Sequence, residues 1–289
     1  MTAAGLGAAV AAPMASADVT SRLTSTPPTL AFWVAIGLYA LALGLLLAAL
    51  SGRARFARPA AAAVGAALLA HGVDIGWRGV LHVHPAQSVR EALGFLAFLL
   101  TGGYFVASLR QRLELAGVLI VPVALVMLMV ARLSPAGADP TQLSTILRIH
   151  VSLATIGLAL FALASALSII YLLKDRSLRG RRLDTVSLRG GSGSLESLDR
   201  TAHLLIWIGF PIFTASMVFG AMWLAQQQLP MARPEYPLAL TTWVCFATLL
   251  GARQVWGWRG RRSAKLTLTG FATALIVLGL YLVRRAVGG

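Results

Sequence analysis

Long apolar stretches alternate with short polar gaps along this chain, and the stretches have the length a bilayer demands, about 20 mainly apolar residues for roughly 30 Å of hydrocarbon. Eight qualify, approximately Leu30 to Leu50, Pro59 to Trp77, Glu91 to Leu109, Leu115 to Leu133, His150 to Leu173, Ala202 to Gln226, Tyr236 to Ala252 and Leu266 to Val283. In lipid a helix satisfies its own backbone groups, so the pattern predicts an all-α, polytopic bundle of about eight transmembrane helices. Pro122 and Pro211 fall inside the fourth and sixth stretches, where a missing N–H predicts a kink or a break.

Composition agrees, with 57% hydrophobic residues and a mean hydropathy of +0.77. The net charge of +15 would suggest nucleic acid in a soluble protein, but here the cations must first be sorted by gap. Of the 25 Lys and Arg, 17 lie in the gaps after spans one, three, five and seven, and 8 elsewhere. Cytoplasmic loops carry such an excess. The count predicts that those gaps face the cytoplasm, that both termini lie outside a bacterial-type inner membrane, and that nucleic acid is not a partner. Membrane lipid is.

Residues 1–29 are Ala-rich and end in SADVTSRLTSTPPT, which reads as a disordered leader or a weak signal-like segment lacking a basic n-region. The transmembrane domain is expected over 30–289, with a basic cytoplasmic linker loop at 174–201 whose GGSGS centre has a flexible composition. Ser197 is a candidate cap for the sixth helix. Cys245 is the single cysteine, so the chain has no thiol pair for internal redox exchange.

The candidate chemistry centres on the polar break GWRGVLHVHPAQSVREALGF, Gly76 to Phe95, which holds two of the five histidines. With Val83 extended, His82 and His84 would project to one side, able to share a small ion but unable to sandwich one haem. His150, which opens the fifth span on the same side, is the candidate second ligand. Neutral imidazole is a common haem-iron ligand, and the forks of Arg78, Arg90 and Arg148 suit carboxylates such as haem propionates. The same residues could instead simply mark where helices leave lipid. His71 and Asp74 lie one turn apart in the second span, an intramembrane polar pair that is either functional or a satisfied packing contact. His203 opens the sixth span as an interfacial residue, and the tryptophans fall mostly near span ends, as an aromatic belt would.

Four stretches together resemble the cytochrome c assembly family of membrane proteins, which includes CcsA, CcmC and the HemX and YpjD type proteins. They are WRGVLHVHPAQSVREALGF, IHVSLATIGLALFALASALSIIYLLKDRSLR, LESLDRTAHLLIWIGFPIFTASMVFGAMW and TTWVCFATLLGARQVWGWRGRRSAKLTLTGF. The resemblance implies a helix bundle that handles haem at its outer face for attachment to apocytochrome c, with His150 matching an external histidine ligand. The chain departs from the family pattern in three places. A tryptophan-rich loop is replaced by LAQQQLPMARPEYP, Gly251 stands where a histidine is expected, and GLYLVRRAVGG lacks the closing external histidine. These departures resemble the HemX and YpjD branch.

The first reading is therefore a multi-pass haem-binding or haem-passing assembly factor that catalyses no bond chemistry. Its haem ligands would be His150 with His82 or His84, its propionate partners Arg78, Arg90 and Arg148, and its partners other cytochrome c assembly subunits. A second reading is a HemX-like regulator or scaffold whose basic loop meets a haem-synthesis enzyme. A third is a proton-coupled transporter built on His71 and Asp74.

Overall fold

The computed structural model describes residues 30–134, 144–180, 193–227 and 235–287. The leader expected at 1–29 lies outside them. Among the described residues there are no strands, and eight helices are long and apolar enough to cross a membrane. We number them α1 (Leu30–Leu50), α2 (Ala57–Val80), α3 (Val89–Arg110), α4 (Glu114–Leu133), α5 (Thr145–Arg179), α6 (Leu195–Gln226), α7 (Glu235–Val255) and α8 (Arg261–Val287). A 3-10 turn at Ala54–Phe56 leads into α2.

Serines set three of the starts. Ser88, Ser144 and Ser194 each turn a side-chain oxygen onto the N–H three residues later, at Glu91, Leu147 and Ser197, which satisfies a donor that has no partner within the helix. The cap of α6 is thus Ser194, and Ser197, the expected cap, lies inside the helix. The helices α4 and α6 continue through Pro122 and Pro211 without a break. The helices α5 and α6 run to 35 and 32 residues, so they outlast the hydrocarbon by several turns. For this reason the polar interruption is shorter than the expected 174–201: its two ends are helical extensions that carry Lys174 to Arg179 and Glu196 to Arg200 beyond the apolar spans.

In packing order, α5 lies along α6, α1 on α2, α7 on α8 and α3 on α4, while α8 and α3 each also reach α5. The central helix is therefore α5. Its buried face includes Phe161, Ala164, Leu167 and Ile170, and Phe161 stacks on Phe246 of α7 with ring centroids 3.8 Å apart. Large apolar side chains such as Leu69, Trp77, Val106 and Trp207 remain exposed on the outside, as expected where lipid replaces water. Because lipid tails are as apolar as leucine, close van der Waals packing and interhelical hydrogen bonds must hold such a bundle together.

Gly117 of α4 shows how tight this packing is. A Cβ there would stand 2.3 Å from the Tyr104 hydroxyl and 2.8 Å from a Leu46 methyl, both on buried side chains. Alanine in a helix normally gains up to about 1 kcal/mol over glycine, but overpacking a filled core costs about 1–3 kcal/mol. We expect Gly117→Ala to lower the thermal unfolding temperature in detergent, an outcome that circular dichroism melting checks directly.

Candidate functional site

Two polar centres lie toward the end of the bundle that carries the 81–88 turn. The first is inside the α1 to α4 half. His71 is almost fully buried, and its Nδ1 meets the Tyr39 hydroxyl at 3.3 Å. That hydroxyl also meets Thr101 Oγ1 at 3.0 Å. One turn below His71, Asp74 accepts from Arg78 Nε at 3.0 Å, and Arg78 Nη1 reaches Glu91 of α3 at 2.8 Å. Arg78 thereby sits between two carboxylates, one from each helix. A cavity of about 40 Å³ lies among His71, Asp74, Arg78, Arg90, Glu91 and Arg132, which is room for on the order of three waters and none for a macrocycle.

Arg90 is used differently. Its guanidinium donates to the carbonyl oxygen of Ser134 at 2.7 and 3.0 Å and to that of Arg132 at 3.4 Å, so it closes the C-terminus of α4, where carbonyls lack helical partners and a cation is favoured. Arg78 and Arg90, two of the three arginines proposed from the sequence to hold carboxylates, thus have protein partners in this structure.

The second centre is where the 81–88 turn approaches the start of α5. Val83 is not part of a strand: the chain turns here, with His82 exposed in the left-handed region at φ 60°. His84 Nδ1 accepts the Ala86 N–H at 3.1 Å, an arrangement that leaves the proton of the neutral ring on Nε2. Burial first, and then the charge of Arg148, push the His84 imidazole below the ordinary histidine range. The influence of Arg148 ties this turn to α5 just ahead of His150.

His150 belongs to the α5–α6 contact. Its Nδ1 lies 2.7 Å from the Ser216 carbonyl oxygen of α6, and a carbonyl can only accept, so Nδ1 carries the proton and Nε2 keeps its lone pair. Ser216 Oγ adds a bond to the His150 carbonyl at 3.1 Å. The ring rests on bare backbone at Gly220, where a Cβ would come within 2.7 Å of Cε1. Among the described residues nothing hydrogen-bonds Nε2, and no group of three or more His, Cys, Asp or Glu is arranged to hold a metal ion. A site here would have to work with one or two imidazoles.

His203 lies at the opposite end of the bundle, close enough to Asp199 and Arg253 to feel their charges, and so contributes to neither centre. The sequence reading did not single out Tyr39, Thr101, Glu91, Ser216 or Gly220. A signal existed for the last two: small residues four apart on one helix mark a face where another helix can come close.

Two outcomes follow. The folded pKa of His84 lies below its unfolded value, so the stability due to its neutral ring is present above the unfolded value, near pH 6.5, and is lost as pH falls through the folded value. Histidine NMR titration should place the His84 midpoint below that of free histidine, and Arg148→Gln should raise it. At Gly220, alanine should destabilise the protein by about 1–3 kcal/mol despite its better helix propensity, whereas Gly251→Ala, with nothing within 4 Å of the added carbon, should be neutral or stabilising in the same melting experiment.

Comparison with known proteins agrees with this architecture. The family model described as cytochrome C assembly protein matches residues 86–287, from the end of the 81–88 turn through α8. Similar curated proteins include cytochrome c biogenesis protein CcsA of Microcystis aeruginosa, 27% identical over 243 residues, covering 66% of this chain and 74% of the relative. CcsA of Gloeobacter violaceus is 29% identical over 248 residues, covering 66% and 73%, and CcsA of Porphyra purpurea is 28% identical over 234 residues, covering 66% and 73%. These relatives carry the CcsA name and lend no support to a HemX or YpjD branch. The match leaves α1, α2 and most of the 81–88 turn outside and takes in His150, Ser216 and Gly220: this multi-pass membrane chain belongs to the cytochrome c assembly family.

Proposed function

We propose that the chain handles haem for cytochrome c assembly, binding or passing it at the face that carries the 81–88 turn and the start of α5. The observation that carries this reading is the state of His150. Its ring is held through Nδ1 by a backbone carbonyl and lies against a residue with no side chain, which leaves Nε2 as the ligating nitrogen in the required tautomer. The names of the similar CcsA proteins support the same role. When bound, haem supplies an iron centre whose potential follows its axial ligands and their burial.

His82 and His84 are the candidates for the second ligand, and they differ in readiness. His84 would first have to release the Ala86 N–H and move its proton to Nδ1, whereas His82 is exposed in the turn. Arg148, two residues before His150 and close enough to His84 to act on its imidazole, is placed by position to hold a propionate. Arg78 and Arg90 would have to exchange Glu91 and the α4 carbonyls for that task. The protein's own residues orient and hold; the chain acts as a carrier or assembly factor and makes no bond. The charge asymmetry supports placing this end outside the membrane, with both termini on the same side.

The test is an absorbance scan of purified protein. His150→Ala should remove most of the bound haem signal, with melting curves in detergent checking that the variant still folds. A spectrum unchanged by that substitution would eliminate His150 as a ligand, and with it the reading.

A further inference from the structure

At the opposite end of the bundle the α7–α8 turn forms a recess of about 430 Å³, and we propose that it binds the phosphate headgroup of an anionic phospholipid. Its wall carries four guanidinium groups, Arg179, Arg259, Arg261 and Arg262, together with Trp256, Trp258 and Tyr171, and among the described residues no carboxylate lines it.

The turn is held in place. Gly260 adopts φ +67° and its N–H donates to Asp199 Oδ1 at 3.0 Å. The other oxygen of Asp199 pairs with Arg253 at 2.9 Å. A second carboxylate, Asp175 of α5, pairs with Arg179 at 3.1 Å and with Arg261 at 3.4 Å. A side chain at Gly260 would come within 2.6 Å of the Tyr171 hydroxyl, so the turn closes onto α5 as tightly as backbone allows. Two aspartates from α5 and α6 thus fix the loop, and of the four recess arginines they partly neutralise two, Arg179 and Arg261.

The remaining cations have no such partner. Among the described residues no carboxylate pairs with Arg259 or Arg262, and Arg262 lies over the Trp258 ring, 5.7 Å from its centroid. Trp256 and Trp258 stand 5.9 Å apart. A recess with surplus positive charge in a fixed frame selects an anion, and guanidinium forks suit phosphate oxygens. Free phosphate and a lipid headgroup share this chemistry. The aromatic wall favours lipid: Trp256 is 67% and Val255 74% exposed, at the end of a membrane span where the glycerol and headgroup of a phospholipid lie. Basic pockets between transmembrane helices recognise anionic headgroups in this way.

The experiment uses the full chain, delipidated in detergent and titrated separately with short-chain phosphatidylglycerol, short-chain phosphatidylcholine and inorganic phosphate. Phosphatidylglycerol should bind at least tenfold more tightly than phosphatidylcholine, and Arg259→Gln with Arg262→Gln should weaken it by roughly tenfold or more. Arg53→Gln with Arg55→Gln removes two cations from another turn at the same end and should leave binding unchanged, with melting curves checking that both double variants fold. Equal binding of the two lipids, or equal loss in both variants, overturns the site in favour of diffuse surface charge. Inorganic phosphate that displaces phosphatidylglycerol at comparable concentration overturns the lipid assignment. Lipid binding is read independently of haem, so either proposal can fail alone.

Discussion

The contact between α5 and α6 is the constraint on which the rest of the molecule depends. Two long helices can lie along each other only where side chains do not hold them apart, and here glycines open the way. A Cβ at Gly157 would press on Phe213 at 3.2 Å, one at Gly209 on Phe161 and Leu160 at 3.0 and 3.1 Å, and one at Gly220 on His150. Lipid offers no hydrophobic drive to bring helices together, so the dispersion gained at this close approach is a main source of association. The same approach brings the Ser216 carbonyl within reach of the His150 ring and fixes its tautomer.

Charge is handled by a second rule, since an isolated ion at membrane depth is costly. Near the end that carries the 81–88 turn, Arg78 lies between Asp74 and Glu91 and Arg90 closes the end of α4. Near the other end, Asp175 and Asp199 gather Arg179, Arg261 and Arg253. The first set ties the consecutive helices α2, α3 and α4 together, and the second ties α5 to α8 and α6 to α7, so both fix the relative positions of the spans as well as neutralising charge. The two ends differ in what is left over. The α7–α8 turn keeps cations beyond its carboxylates, and the turn at 81–88 keeps imidazoles.

Eight apolar stretches separated by short gaps were enough to determine the class of fold, because the thickness of a bilayer sets the length of a span and the backbone permits few other solutions inside it. The His71–Asp74–Arg78 spacing likewise told that these groups share a helical face, and the prominence of His150 followed from its place at a span boundary and from the family resemblance. Helix ends were less legible. Ser144 and Ser194 start their helices in polar sequence that hydropathy reads as loop, since a cap and a solvated helical turn need no apolar residues.

What only the tertiary structure decided is the pairing of groups far apart in the chain. Spacing along one helix cannot tell that Tyr39 meets His71, that Glu91 takes Arg78, or that Arg90 is spent on the carbonyls of α4. Nor can it show that the 81–88 segment turns, placing His82 in the left-handed region and giving His84 an N–H to accept. Hydrophobicity along a chain fixes how many times it crosses the membrane. Which side chains then meet depends on how closely neighbouring helices approach, and that is set by the small residues facing each other across the bundle.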